Sequence, residues 1–332
     1  MRIKDIAAAA GVSTATVSRV LSGKQHVRPE VQEKVLEVIK EMNYSPNRAA
    51  RSLRSKKSSS IGLIVADIQN PFFASLCRAV EDVAQDNNFS VILCNTDENP
   101  DKERSYLELM QNENAAGIIL APTGRLADHF PQQLADVCPM VVIDRKIAGA
   151  AVDSVVIDNV TAAHQLTTHM LQHGYRRIAG LFGVHSVTGR DRRRGFSMAF
   201  EDAGVVPDEE LIIDLPAREA EGHAAVSRLL ERNDPPEAIL TSSGLLAGGA
   251  FRAIRDKEII VPEQLAFATF DESPWTAMTR PAITVIEQPT YAIGQTAGEM
   301  LFKRILDPTR PTRQVVLSSR LLVRRSCGCH LA

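Results

Sequence analysis

Side chains able to do chemistry concentrate in two parts of the chain. One is the start of a short helical pattern, STATVSRVL, where Thr14, Ala15, Thr16, Ser18 and Arg19 alternate with the apolar Val17, Val20 and Leu21. Small polar groups at a helix start, followed by an arginine one turn later, suit a helix that enters a DNA major groove N-terminus first. Hydroxyls reach phosphates or base edges, an alanine methyl meets a thymine methyl, and a guanidinium bridges guanine O6 and N7. The other part is a set of positions just after strand-like runs: Asp97 after CNT, Arg145 after VVID, and Asp271 in TFDES with Trp275 close behind. Arg145, Arg190, Arg192 and Arg218 supply planar forks that match a carboxylate or phosphate, and an indole at Trp275 suits the apolar face of a sugar.

Two further groupings have metal-ligand spacing. His169 and His173 are four apart and share one helix face, but no carboxylate stands near them in sequence. Cys327-Gly-Cys329 with His330 offers three donors in the last residues given. We expect both to be idle, the histidines serving the helix C-terminus, and we expect no metal and no cofactor. Neither a glycine-rich phosphate loop after the first strand nor a G-x-S-x-G elbow occurs, so catalysis has little to stand on.

The elements that must position the first group are three short helices. Ile3, Ile6, Ala7 and Ala10 fall at i, i+3, i+4 and i+7 and make one apolar face. Gly11 permits a turn, Val12 plugs inward, and Ser13 can cap the second helix. A third helix starts with Pro29 at its first position and presents Val31, Val35, Val38, Ile39 and Met42. Residues 1–57 hold twelve Lys/Arg and five Asp/Glu in a chain whose formal net charge is −2. A cationic head on an acidic body attracts phosphate backbones. A plain amphipathic bundle with a solvated charged face would share the periodicity but not this coincidence of charge and spacing.

Beyond about residue 60 the pattern becomes alternating strands and helices. Strand runs IGLIVAD, FSVILCNT, AGIILAP and MVVIDR are separated by helices expected over 71–87 and 101–113. A second series follows: RRIAGLFG, a helix over 193–203, LIIDL, a helix over 219–231, AILTSS, LAFATF and TVIEQP. This alternation predicts parallel sheets covered by helices on both faces, with a ligand cleft at the carboxyl ends of the strands. At 332 residues two or three domains are expected. The five scattered cysteines argue against a disulfide framework. No apolar run approaches the roughly 20 residues of a membrane span. With no secretory pattern at the start, the expectation is a cytoplasmic protein with no membrane partner.

The run IKDIAAAAGVSTATVSRVLSG, continued by NYSPNRAARSL, resembles the head of the LacI/GalR family of bacterial transcription regulators, and the similarity extends to Arg325. The resemblance implies a helix-turn-helix domain over 1–45, a hinge helix and linker over 46–59, and an effector-binding and dimerisation domain over 60–330. The last has the periplasmic-binding-protein-like α/β core with three crossovers: an N-subdomain at 60–158 and 289–318, and a C-subdomain at 159–288 and 319–330. It also implies a hinge helix at Asn47–Arg54 that folds on DNA, with Leu53 as a minor-groove wedge and Asn47, Arg51 and Arg54 beside it. A short, cationic, weakly apolar segment fits that role, being marginal as an isolated helix.

By the same resemblance Asn70, Phe72 and Phe73 line the cleft, Arg145 contacts ligand, Arg192 is the arginine of an R-x-x-G-F motif with Arg190 beside it, and Asp271 receives sugar hydroxyls. The chain departs from the family at Ser243-Gly244, where many members carry a carboxylate. That departure, with the arginines, leads us to expect an acidic sugar derivative such as an aldonic or keto-aldonic acid. The expected protein is a homodimeric repressor of a carbohydrate or sugar-acid operon, bound to pseudo-palindromic double-stranded operator DNA and controlled by that effector. Corepression, in which ligand tightens DNA binding, uses the same parts.

Overall fold

A computed structural model describes residues 3–21, 27–42, 58–124, 138–147, 149–184 and 186–328. The chain divides into two units, Met1–Ser58 and Ser59–Ala332. In the first, α1 (Ile3–Ala10), α2 (Thr14–Leu21) and α3 (Pro29–Glu41) surround a core of Ile6, Ala7, Ala10, Val17, Val20 and Val35. Gly11 takes φ +69° at the turn, the left-handed region that glycine enters at least cost. The Thr16 amide donates to Ser13 Oγ at 3.1 Å, so Ser13 satisfies an otherwise orphaned donor at the start of α2. Of the five apolar residues expected to be buried on α3 only Val35 is fully so; Val31, Val38, Ile39 and Met42 are partly buried against the same core. Three helices this short have too little mutual surface to enclose a longer stripe.

The second unit contains two six-stranded sheets. The first has the order β11-β5-β4-β3-β1-β2, built from β1 (Ser60–Val65), β2 (Ser90–Asn95), β3 (Ile118–Leu120), β4 (Met140–Ile143), β5 (Asp153–Ile157) and β11 (Gln314–Leu317), all parallel. The second has the order β12-β10-β9-β8-β6-β7, built from β6 (Ile178–Gly183), β7 (Ile212–Leu215), β8 (Ala238–Thr241), β9 (Ala266–Phe270), β10 (Thr284–Glu287) and β12 (Arg320–Leu322). Only its edge strand β12 runs antiparallel, against β10. The chain passes between the sheets three times: after β5, after β10, and again between β11 and β12.

Helices on both faces explain why strands such as β1 and β6 are apolar runs rather than alternating ones. In the first sheet α4 (Pro71–Asp86) and α11 (Thr290–Leu306) cover one face, and α5 (Pro100–Asn112) the other. In the second, α6 (Asn159–Gln172) and α7 (Val187–Asp202) cover one face, and α8 (Glu219–Leu230) and α9 (Gly244–Asp256) the other. A short α10 (Pro274–Met278) follows β9.

The helix expected over 193–203 begins six residues earlier, at Val187. Ser186 caps it, its Oγ accepting from the Gly189 amide at 3.0 Å, and Gly189 lets the helix start against the end of β6. A β-carbon at Gly189 would lie 2.0 Å from the Gly183 carbonyl oxygen. Among the described residues no helix is long and apolar enough to cross a membrane.

Candidate functional site

A cleft of about 620 Å³ opens at the carboxyl ends of strands from both sheets. Of the effector residues expected from sequence, Asn70, Phe72, Phe73, Asp97, Arg145, Arg192 and Asp271 line it. Each is placed by a local device. Asn70 caps α4, its side-chain oxygen accepting from the Phe72 amide at 3.1 Å, with Pro71 at the first helical position. That start fixes Phe72 and Phe73, which meet edge to face at 4.9 Å between ring centroids. Asp97, Glu98, Asp144 and Asp271 all take left-handed backbone angles, φ +52° to +73°, just past β2, β4 and β9. Backbone in that region is costly for residues with a β-carbon and clusters at binding sites. Here it bends each strand end so that acidic side chains border the cleft.

Arg192 is held on three sides. Its Nε donates to Asn159 Oδ1 at 2.8 Å and its Nη1 to the Ser242 carbonyl at 2.6 Å. Its guanidinium carbon stands 4.1 Å from the Phe270 ring centroid, a cation–π geometry. Burial lowers its pKa from the ordinary arginine value, while Asp271 and Asp144 oppose the shift. Asp271 accepts from the Gly244 amide at 2.9 Å and from Gln288 Nε2 at 2.6 Å.

Gly244 therefore has a role in place of the carboxylate missing there: its amide grips Asp271. A β-carbon at that position would come within 3.3 Å of the Asp271 β-carbon.

Arg145 is fully engaged by the protein. It pairs with Glu98 through both terminal nitrogens, one bond measuring 2.8 Å. It also donates to the Pro122 carbonyl at 2.7 Å and to Asp144 Oδ2 at 3.2 Å. Burial works against its charge, but Glu98 and Asp144 outweigh it and raise its pKa. Burial in turn pushes the Asp144 carboxyl above its ordinary value, against the pull of Arg145 and Arg192. Asp97 pairs instead with Lys102 and accepts from Asn95 Nδ2 at 2.6 Å, and the Lys102 bond holds its carboxyl below the usual range.

Two expected contacts are not in the lining. Arg190 is exposed, because the early start of α7 puts it on a helix two residues from Arg192. Two residues on a helix are about 200° apart, so the pair cannot share a face. Trp275 packs against Phe251 at 5.8 Å and borders a separate groove, its ring drawn into the apolar face beneath α9.

Sequence reasoning also missed Glu98, Asp144, Asn159, Ser242 and Gln288. The first two stood beside residues already chosen, and their charge was the available signal. With Asp67, Asp97, Glu219 and Asp271 they give the described lining six carboxylates against three guanidinium groups, Arg145, Arg192 and Arg218. Counting arginines alone overstated the positive character of the cleft.

In the first unit Thr14, Ala15 and Arg19 are exposed, and Thr16 and Ser18 partly so, around the buried Val17 and Val20. The hinge residues Asn47, Arg51, Leu53 and Arg54 lie outside the described residues.

A helix-turn-helix head joined to a two-sheet receptor with a cleft at its strand ends defines a ligand-responsive DNA-binding regulator. Residues 2–47 match the model of the lacI family of bacterial regulatory proteins, and residues 58–325 match the periplasmic binding proteins and sugar-binding domain of the LacI family. The chain belongs to the LacI family of transcriptional regulators. It is 38% identical to the ribose operon repressor of Halalkalibacterium halodurans over 98% of this chain and 96% of that one. It is 32% identical to catabolite control protein A of Priestia megaterium over 98% of each.

Among solved structures, the transcriptional regulator CelR in complex with cellobiose has 29% identity and a TM-score of 0.72, over 98% of this chain and 99% of its own. The operator-bound lac repressor dimer shares the fold at a TM-score of 0.85, over 98% of this chain and 99% of its own, with 21% identity.

Proposed function

We propose that this regulator is a homodimeric repressor released from a pseudo-palindromic operator by a neutral sugar. The observation that carries the sugar class is the balance of the cleft: Arg145 pairs with Glu98 and Asp144, Arg192 lies in the field of Asp271 and Asp144, and six lining carboxylates outnumber three arginines. An acidic ligand reaching Arg145 would have to displace Glu98, and one reaching Arg192 would have to approach Asp271 and Asp144. Sugar hydroxyls both donate and accept, so they satisfy Asp271 and Arg192 together without an added charge. The aromatic edge formed by Phe72 and Phe73 supplies an apolar wall of the kind small-molecule sites use. A relative named for the ribose operon and a neighbour holding cellobiose support the same class. Asn70, Phe72, Phe73, Arg192 and Asp271 are the contacts we assign, with Asp97 at the rim and Arg145 as the brace that keeps Glu98 and Asp144 in place. The cleft acts in this reading as a receptor rather than as a catalytic centre.

At the DNA, Thr14, Ala15, Thr16, Ser18 and Arg19 read base edges and phosphates. Asn47–Arg54 forms a hinge helix on binding, with Leu53 wedged between base steps at the operator centre. Calorimetric titration with neutral pentoses and hexoses beside the matching sugar acids tests the effector class, and repeating it with operator DNA present gives the sign of coupling. Binding of a neutral sugar, with weakened operator affinity, is the expected result. Binding of the acids alone would reject it.

A further inference from the structure

Neither the DNA-reading surface nor the cleft uses a cluster at the far end of α6. His169 lies in the last turn of that helix and His173 is its C-cap residue, with ring centroids 4.7 Å apart. Cys327, in a 3₁₀ turn at Arg325–Cys327 after β12, brings its Sγ to 3.2 Å from His169 Nε2 across 158 residues of sequence. One donor atom from each of the three lies within 4.8 Å of the others. With tetrahedral Zn–N and Zn–S bonds of about 2.0–2.1 Å and 2.3 Å, an ion would set an N···S separation of about 3.6 Å. The His169–Cys327 separation of 3.2 Å is a few tenths of an ångström from that value.

The thiol is held in position before any ion arrives. Thr284 Oγ1 is 3.1 Å from Cys327 Sγ. The neighbouring Ser326 is pinned, its Oγ accepting from the Thr284 amide at 2.8 Å and donating to the Phe267 carbonyl at 2.6 Å. Gly328, at φ +79°, closes the turn. Cys327 is fully buried, His169 half-buried and His173 exposed, so the three donors run from a buried sulfur to an imidazole at the surface. Two imidazoles and a thiol select a borderline or soft ion over magnesium or calcium.

We propose that His169, His173 and Cys327 form a zinc-class metal site that clips the C-terminal turn onto the end of α6. This replaces the expectation that both groupings are idle. The histidines lacked a third donor nearby in sequence, and the fold supplies one from the other end of the chain. Binding releases the Cys327 thiol proton to solvent and leaves a thiolate on the ion. Two more donors, Cys329 and His330, follow in sequence, so the test separates them.

Untagged full-length protein, stripped with chelator, is titrated with Co(II). The expected outcome is one cobalt per chain with a near-ultraviolet thiolate-to-cobalt charge-transfer band, and stoichiometric displacement by Zn(II). Cys327→Ser removes the band and Cys329→Ser retains it. His173→Gln, at an exposed position, weakens cobalt binding at least about tenfold, since loss of even an outer-shell partner costs a site that much. Zn(II) raises the unfolding temperature of the parent protein and not that of His173→Gln. If Cys327→Ser fails to fold, judged by circular dichroism, His173→Gln decides alone. Absence of the band, its survival in Cys327→Ser, or unchanged affinity in His173→Gln would overturn the assignment.

Discussion

In the proposed reading Arg192 serves both structure and recognition. Its Nε and Nη1 are spent on Asn159 and Ser242 and its flat face on Phe270, so its orientation is set before ligand arrives. Arg192→Lys keeps the charge but cannot reproduce the fork or the stacking. We expect effector affinity to fall at least about tenfold, as for loss of a hydrogen bond to a charged group; calorimetry measures it.

At the other end of the chain, Arg19→Ala should relax preference at one operator position at a cost of about 1–3 kcal/mol, read by binding to a set of single-base operator variants. Glu103 offers a pH test. It is 2% exposed, and its carboxylate accepts from the Thr123 amide and hydroxyl, each at 2.7 Å. Burial nonetheless raises its pKa above the ordinary value, those hydrogen bonds opposing the shift. A raised carboxyl favours folding when protonated, so its contribution is complete below the unfolded-state value and is lost as pH rises through the folded one. Glu103→Gln should remove that loss, flattening unfolding temperature against pH from the carboxylate range upward; an unchanged profile counts against it.

At the scale of elements, the arginine depends on how closely two helices approach. Gly195 stands one turn after Arg192 on the same face of α7, where a β-carbon would lie 2.2 Å from the Val160 carbonyl oxygen on α6. Phe196 is buried between Phe182 and Phe200, at 5.4 and 4.9 Å. The R-x-x-G-F spacing thus has a mechanical reading: the phenylalanine anchors α7, the glycine admits α6, and the arginine reaches Asn159 at the first residue of α6. Gly195→Ala should push the helices apart, cost about 1–3 kcal/mol of stability as overpacking does, and weaken effector binding without touching the cleft. Thermal unfolding and sugar titration on the same variant check both effects. For the proposed hinge helix, Leu53→Ala should weaken operator binding far more than random-DNA binding, because only a bent operator benefits from the wedge. Equal losses on both DNAs would remove Leu53 from the account.

For the whole molecule, charge is divided by function. The first 57 residues carry the excess of Lys and Arg, while the chain as a whole is −2. Operator affinity should fall steeply with salt, with a log–log slope near −0.9 for each phosphate neutralised. Anisotropy titrations across a salt series give that slope. A flat dependence would mean the cationic head is not the DNA surface. The cleft is lined by strand ends of both sheets, so the binding energy of the proposed effector can favour one relative position of the sheets over another, and differential affinity of that kind is what an allosteric effector requires.

The sequence by itself determined the class of the protein. Periodicity marked the three helices and most of the strands, Ser13 and Pro29 announced helix starts, and charge segregation separated reader from receptor; all are properties of neighbouring residues. Strand β5 and the edge strands β11 and β12 passed unnoticed, since short runs such as DSVVI and RLL carry little pattern of their own. The tertiary structure alone decided which distant groups meet. It turned Arg190 away and drew Trp275 into the apolar face under α9. It surrounded Arg145 with Glu98 and Asp144, and brought Cys327 to a pair of histidines. Helical phase and chain crossovers set those meetings, and neither is written in the spacing of any one segment.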